Sequence, residues 1–314
     1  MSDTAATALP GAKFNDPLIT ATGEKRAVVA FSNLKTLWIN TGTLCNITCR
    51  NCYIDSSPTN DALAYITLAE AVAFLDEIAR DKLPTTEIGF TGGEPFMNPD
   101  IIPMIEAALS RGFAVLVLTN AMKPLANHRA AIADLAKRFG QRLTLRVSLD
   151  HYSAENHDLE RGSGSFALTL ENLPWLSGLA LTLHIAGRTC WNEDENALRA
   201  GFAALFNDNA IALDAADPVA LTLFPEMDAN ADIAEITENC WSILNVAPDD
   251  LMCATSRMAV KRKGAAHPVI VACTLIPDAP EFELGTTLAQ AARPVALNHP
   301  HCARFCVLGK GSCS

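Results

Sequence analysis

The sequence predicts an α/β fold: a partial (β/α)6 TIM-like barrel followed by a small cysteine-rich extension. Three observations carry that prediction. From Leu37 to about Phe224, apolar β-type runs alternate with helical patterns, the signature of βαβ units and a parallel sheet. Several of the intervening helices have readable ends. The polar and glycine-rich segments follow the strands directly, where barrel folds carry their functional residues.

Residues 1–30 open with MSDTAATALPGAKFNDP, polar and proline-containing, and read as a flexible lead-in without the charged start and apolar stretch of a secretory signal. The barrel is expected over 31–228, with strands at Leu37–Thr41, Glu87–Thr91, Phe113–Thr119, Leu143–Leu149, Leu179–Ile185 and Val219–Phe224. The first helix has a capping box, Thr67 with Glu70, ahead of Leu68, Val72, Leu75 and Ile78 at helical spacing. For the second, Asn98-Pro99 supplies an N-cap and a first-turn proline, and Gly112 a stop. Asn192 and Glu195 repeat the capping-box pattern before Leu198, Phe202 and Leu205. Right-handed crossovers would curl these strands into a barrel or part of one.

After about Leu223 the rhythm fades, and a boundary is expected near Pro225–Asn230. Residues 229–314 hold six of the ten cysteines. With 24 basic against 35 acidic residues, a net charge of -11 and only the short KRK run at Lys261 to Lys263, the chain lacks the basic stripe that nucleic acid requires. Apolar runs such as Phe113 to Leu118 fall far short of the roughly 20 residues that span a membrane. Ten cysteines without an export signal point to metal binding or redox chemistry in a reducing cytoplasm rather than to disulfides.

Three of them, Cys45, Cys49 and Cys52 in CNITCRNCY, form a Cys-x3-Cys-x2-Cys set just after the first strand. A cubane iron–sulfur cluster normally takes four thiolates, so three leave one iron open to a ligand. The spacing alone also admits buried small hydrophobes or a zinc site, although the intervening Asn46, Thr48, Arg50 and Asn51 suit a polar loop.

This segment resembles the cluster loop of the radical S-adenosylmethionine (SAM) superfamily, whose hallmark is this spacing after the first barrel strand. The resemblance implies that Cys45, Cys49 and Cys52 hold a catalytic [4Fe-4S] cluster. One position departs: the family usually has an aromatic residue near the adenine before the third cysteine, whereas here that residue is Asn51 and the aromatic is Tyr53. Further motifs agree. Gly92, Gly93, Glu94 and Pro95 match the GGEP segment that contacts the methionine amine of SAM. Thr119-Asn120-Ala121 resembles TNG with alanine for glycine. Ser148-Leu149-Asp150 resembles the S-x-D segment facing the ribose and methionyl groups. Taken alone, each is equally a turn.

The run from His157 to Phe166, HDLERGSGSF, resembles a stretch found in peptide-modifying subfamilies, and its Arg161 has the fork geometry to grip a carboxylate. His157 is expected to make a local loop bond, Arg188 to be a plain surface arginine, and Cys190 and Cys240 to be packed core residues. Glu226 and Asp228, in FPEMD, lie where a barrel mouth would admit substrate.

Cys253, Cys273, Cys302, Cys306 and Cys313 resemble the SPASM and twitch extensions that bind auxiliary clusters, with altered spacings. One auxiliary [4Fe-4S] cluster is expected, held by Cys302, Cys306 and Cys313 with Cys273 or Cys253. A four-cysteine zinc knuckle is the structural alternative.

The resemblance implies reductive cleavage of SAM to methionine and a 5′-deoxyadenosyl radical that abstracts hydrogen from a substrate, with flavodoxin or ferredoxin as electron donor. A peptide or protein substrate is favoured by HDLERGSGSF and the extra cysteines, a small metabolite by the compact size. A non-catalytic electron carrier or redox sensor would leave the TGGEP, TNA and SLD series unexplained.

Overall fold

The computed structural model describes residues 12–225, 232–309 and 311. Its main sheet has nine strands in the order β10-β9-β8-β2-β3-β4-β5-β6-β7. The six barrel strands are β2 (Thr36–Asn40), β3 (Glu87–Thr91), β4 (Ala114–Thr119), β5 (Leu143–Ser148), β6 (Thr182–Arg188) and β7 (Leu221–Phe224), all parallel and paired in chain order. Sequential neighbours joined by helical crossovers give the partial barrel. β6 lies three residues further along than its apolar run suggests, because Leu179 to Leu181 serve the approach to the strand rather than its pairing.

Period-two alternation sorts the strand side chains onto two faces. Leu37, Ile39, Ile88, Phe90, Val115 and Val117 join the large core with Phe74, Leu75 and Ile78 of the helix Leu68–Arg80. Trp38, Leu116, Met258 and Val260 form a second cluster on the opposite face. The helix Leu68–Arg80 starts at the expected capping box, a device worth about 1 kcal/mol.

Two helix starts differ. Asn98 does not cap the second helix, which is Ile101–Ser110; its amide instead donates to the Thr41 and Ile66 carbonyls at 3.2 and 2.9 Å, tying β2's exit to the first helix. The helix Glu195–Asp208 is capped by Asp194, whose carboxylate accepts from the Asn196 N–H, while Asn192 has a left-handed backbone with φ 57°.

The extension continues the same sheet. β8 (Ser256–Val260) pairs in parallel with β2, and β9 (Val269–Val271) and β10 (Glu283–Gly285) add antiparallel strands beyond it. β1 (Val28–Val29) pairs with β11 (Val295–Ala296), so within the lead-in, residues 12–30 are anchored rather than loose. Buried Arg26 reinforces that anchor through Glu235 and the carbonyls of Asp16, Ile19 and Leu297. The expected boundary near 225–230 falls largely on 226–231, outside the described residues. No helix of the described residues is long and apolar enough to cross a membrane.

Candidate active site at the strand ends

The parallel strands deliver their C-terminal residues to one rim. There, Cys45, Cys49, Cys52, Tyr53, Gly92, Gly93, Asn120, Ser148, Asp150 and Arg161 line a single cavity of about 200 Å³. Ten of the twelve site positions expected in the barrel are thus brought together.

The two glycines explain how the cysteine loop meets β3. Gly92 has φ 145°, and a Cβ there would lie 2.6 Å from the Gly42 carbonyl oxygen. At Gly93 a Cβ would come within 2.2 Å of the Leu44 carbonyl oxygen, backbone against backbone, so neither side can yield. The Gly93 N–H donates to Gly42 and the Glu94 N–H to Leu44, which locks the residue before Cys45.

Glu94 and Pro95 lie behind the lining. The Glu94 carboxylate, 1% exposed, accepts from the Thr119 hydroxyl and the Asn120 N–H, both at 2.8 Å, and from the Phe96 N–H at 3.2 Å. Burial pushes its carboxyl up to about 7 against these donors and Arg161. Glu94 therefore ties TGGEP to TNA, and Pro95 opens the short 3-10 turn Pro95–Met97. Ala121 sits at φ 55°, the region that a glycine in its place would enter freely.

Across the cavity, Arg161 donates from Nε and Nη2 to both oxygens of Asp150 at 2.7 and 2.9 Å. Burial alone would raise the Asp150 carboxyl, but Arg161 outweighs it and holds the group below the usual range. His157 makes the expected local bond, its Nδ1 accepting from the Asp150 N–H at 3.2 Å. Burial lowers its imidazole to about 4, leaving it neutral.

Arg188 is not a surface arginine. Its side chain is 13% exposed, lines the cavity and donates to the Glu160 carboxylate at 3.0 Å. The same Glu160 oxygen accepts from Asn51 at 2.9 Å, and the Glu160 carbonyl accepts from the Arg50 N–H at 2.7 Å. Asn51, at the position expected to be aromatic, thus ties the loop to Glu160 while bordering the cavity. Arg146 and Glu160 escaped sequence reasoning, yet Arg146 is the lone charge in the apolar LTLRVS of β5, and that was its signal.

Two of the thiols, Cys45 and Cys49, are held neutral without metal. Burial raises Cys45 to about 12, and nearby Glu94, Cys49 and Cys52 add to it; burial likewise raises Cys49. Iron must displace those protons, so cluster uptake supplies the positive charge the loop lacks. Cys52 Sγ accepts from the Ser56 N–H at 3.3 Å, and Asn120 approaches Cys45 Sγ at 3.9 Å. Among the described residues no three His, Cys, Asp or Glu side chains converge to hold a single ion. A cubane asks for a different arrangement, one thiolate per corner iron, and three thiols around an open cavity fit it.

In the extension, Cys253, Cys273, Cys302 and Cys306 line a second, small cavity with Leu251, Met252, Leu275, Ile276, Val295, Leu297 and His301. Cys302 and Cys306 share the π-helix Cys302–Leu308, while Cys253 and Cys273 arrive before β8 and after β9. Both of the alternatives for the fourth ligand, Cys253 and Cys273, are therefore present together, and Cys313 lies outside the described residues. Cys190 and Cys240 are only half-buried; Cys240 Sγ accepts from the Thr237 N–H. Phe224 and Pro225 line the first cavity, and Glu226 and Asp228 fall outside the described residues.

Residues 39–187 match the Radical SAM superfamily. Among curated proteins the chain is similar to the antilisterial bacteriocin subtilosin biosynthesis protein AlbA of Bacillus subtilis, 32% identical over 143 residues, 45% of this chain and 30% of that protein. It is also similar to the mycofactocin maturase MftC of Mycobacterium ulcerans, 31% identical over 134 residues, 41% of this chain and 33% of that protein. The matched segment is thus about a third of each relative's length. Streptococcus suis SuiB bound to S-adenosylmethionine shares the fold at TM-score 0.58 and 11% identity, over 81% of this chain and 63% of SuiB. A cavity at the strand ends lined by the Cys-x3-Cys-x2-Cys set, the paired glycines and the Asp150–Arg161 pair lies within and beside the matched segment, and residues 39–187 of this chain are a radical SAM domain.

Proposed function

We propose that this chain is a radical SAM enzyme that modifies a peptide or protein and carries a second iron–sulfur cluster in its extension. The observation that carries the enzymatic reading is the convergence of Cys45, Cys49, Cys52, Gly92, Gly93, Asn120, Asp150 and Arg161 on one cavity. The peptide reading is supported by the relatives: AlbA is a bacteriocin biosynthesis protein, MftC a maturase, and SuiB has been solved with its precursor peptide SuiA at TM-score 0.57 to this chain.

Cys45, Cys49 and Cys52 would hold three irons of a [4Fe-4S] cluster and leave the fourth for SAM. When bound and reduced, that cluster supplies the electron that splits the sulfonium bond. Arg161 spends Nε and Nη2 on Asp150 and keeps further N–H donors for a ligand carboxylate. Ser148 and Asp150 offer acceptors to ribose hydroxyls, and Tyr53 offers a ring face to the adenine in place of the residue at Asn51. The Glu94 carboxylate spends three of its roughly four acceptor positions on internal donors and keeps one for the methionine amine. Cys253, Cys273, Cys302 and Cys306 are the ligands of the second cluster, and flavodoxin or ferredoxin the electron donor.

Anaerobic reconstitution with iron and sulfide tests the reading. With SAM and dithionite, 5′-deoxyadenosine should form, and a mass change should appear in a precursor peptide encoded beside the gene. A formed cluster that yields no 5′-deoxyadenosine would sink the enzymatic reading. Turnover of a small metabolite with inert peptides would sink the peptide one, and zinc without sulfide at the extension would sink the second cluster.

A further inference from the structure

We infer that Arg257 is the buried counter-charge of the four-cysteine site and raises the reduction potential of the cluster held there. The inference rests on the second-cluster reading above.

Among the described residues, two arginines are at most 1% exposed, Arg26 at 0% and Arg257 at 1%. Arg26 is neutralised by the Glu235 carboxylate at 2.5 Å. Arg257 receives no such partner. Its Nε donates to the Ala291 carbonyl at 2.9 Å, its Nη1 to those of Cys253 and Ser256 at 2.6 and 2.7 Å, and its Nη2 to that of Arg293 at 2.8 Å. The Phe31 ring covers it at 4.2 Å. Carbonyl dipoles satisfy the donors but cancel no charge, and among the described residues no carboxylate forms an ion pair with it. A buried ion without a counter-charge is costly, so the missing anion is the informative feature.

The groups that favour its charge are the sulfurs of Cys253 and Cys273, against burial and Arg293. Two of the four thiols in the second cavity therefore face the field of a cation that no carboxylate among the described residues neutralises. Arg257 is fixed there by the sheet: it sits in β8, paired in register with Leu37 of β2, and its guanidinium is bonded to the carbonyl of Cys253 itself. A cluster ligated by four thiolates is anionic, and net charge is among the determinants of its potential. Reduction adds one more negative charge, so a fixed cation stabilises the reduced form more than the oxidised one and raises the potential. Arg257 touches no substrate in this account; it is a positioning and tuning residue.

The test uses the full chain with Cys45, Cys49 and Cys52 replaced by alanine, so that only the second cluster reports, in a redox titration followed by electron paramagnetic resonance. Arg257→Met should lower the midpoint by at least a tenfold shift in the oxidised-to-reduced ratio, about 59 mV for a one-electron couple. Arg257→Lys, which keeps the charge, should restore most of it. Phe31→Glu brings a carboxylate against the guanidinium while leaving its carbonyl acceptors in place, and should lower the midpoint in the same direction. A fully loaded Arg257→Met protein with an unchanged midpoint overturns the inference alone. Should Arg257→Met fail to fold, Phe31→Glu decides, and an unmoved midpoint there overturns it equally. Absence of iron and sulfide from the starting protein overturns both this inference and the second-cluster reading.

Discussion

The cavity at the strand ends sets the Asp150–Arg161 pair, hydroxyls and loop backbone among apolar side chains such as Leu118, Phe224 and Phe305, whereas the cavity under the extension is lined by leucine, isoleucine, valine and methionine side chains around four thiols, with no ion pair among its lining. In the first, two buried carboxylates are paired with arginines: Asp150 with Arg161, and Glu160 with Arg188. Beside the second, buried Arg257 donates to four backbone carbonyls and, among the described residues, pairs with no carboxylate. Leu275 borders both cavities, and Phe305, between Cys302 and Cys306, reaches the first. The difference teaches what each site is suited to. A polar, self-compensated site can exchange a charged ligand without upheaval, while an apolar site holding one fixed charge suits a permanent anionic guest.

The largest effect that would break this contrast comes from the ligands. Replacing Cys45, Cys49 and Cys52 together should abolish 5′-deoxyadenosine formation and remove one cluster's share of iron, leaving the other; loss of all iron from a folded variant would show that the two sites are not independent. Arg161→Met should follow, since it leaves Asp150 buried and unpaired, at about 3–5 kcal/mol in urea denaturation. A smaller cost would mean that the first site is less self-compensated than its geometry indicates.

Glu94 sharpens the comparison through pH. Its folded carboxyl titrates at about 7 rather than 4.5, so between those values the folded state binds more protons than the unfolded one. Stability of the metal-free protein should therefore fall as pH rises through that window, by at most about 3 kcal/mol. Glu94→Gln should flatten the profile measured by denaturation at intervals from pH 5 to 8. Gly93→Ala should cost about 1–3 kcal/mol by forcing the Leu44 backbone away, with lower iron uptake at the first site and unchanged uptake at the second. Asn51→Phe should have the least effect on stability, about 1 kcal/mol for the lost bond to Glu160, read as a small shift in thermal midpoint.

Much of the fold was legible locally. Strand positions came from apolar runs, and the Thr67–Glu70 box marked a helix start because its two bonds span three residues. Asn98 misled because its amide is engaged far away, at Thr41, and Asn192 because Asp194 lies two residues nearer the helix and takes the cap. Arg188 looked like a surface residue because its partner, Glu160, is 28 positions earlier.

By itself, the sequence determined the kind of chemistry: a thiolate set with an open corner, paired glycines and a carboxylate series, each at the end of an apolar strand. These are short-range patterns, set by side-chain period and by spacing along one loop. Only the tertiary structure decided which charges are compensated. It joined β8 to β2, gathered Cys253, Cys273, Cys302 and Cys306 from three segments, gave Arg26 a carboxylate 209 positions away and, among the described residues, left Arg257 with carbonyls and no carboxylate. Compensation is a through-space property in a medium that screens little, so residues distant in the chain determine it, and no local pattern records it.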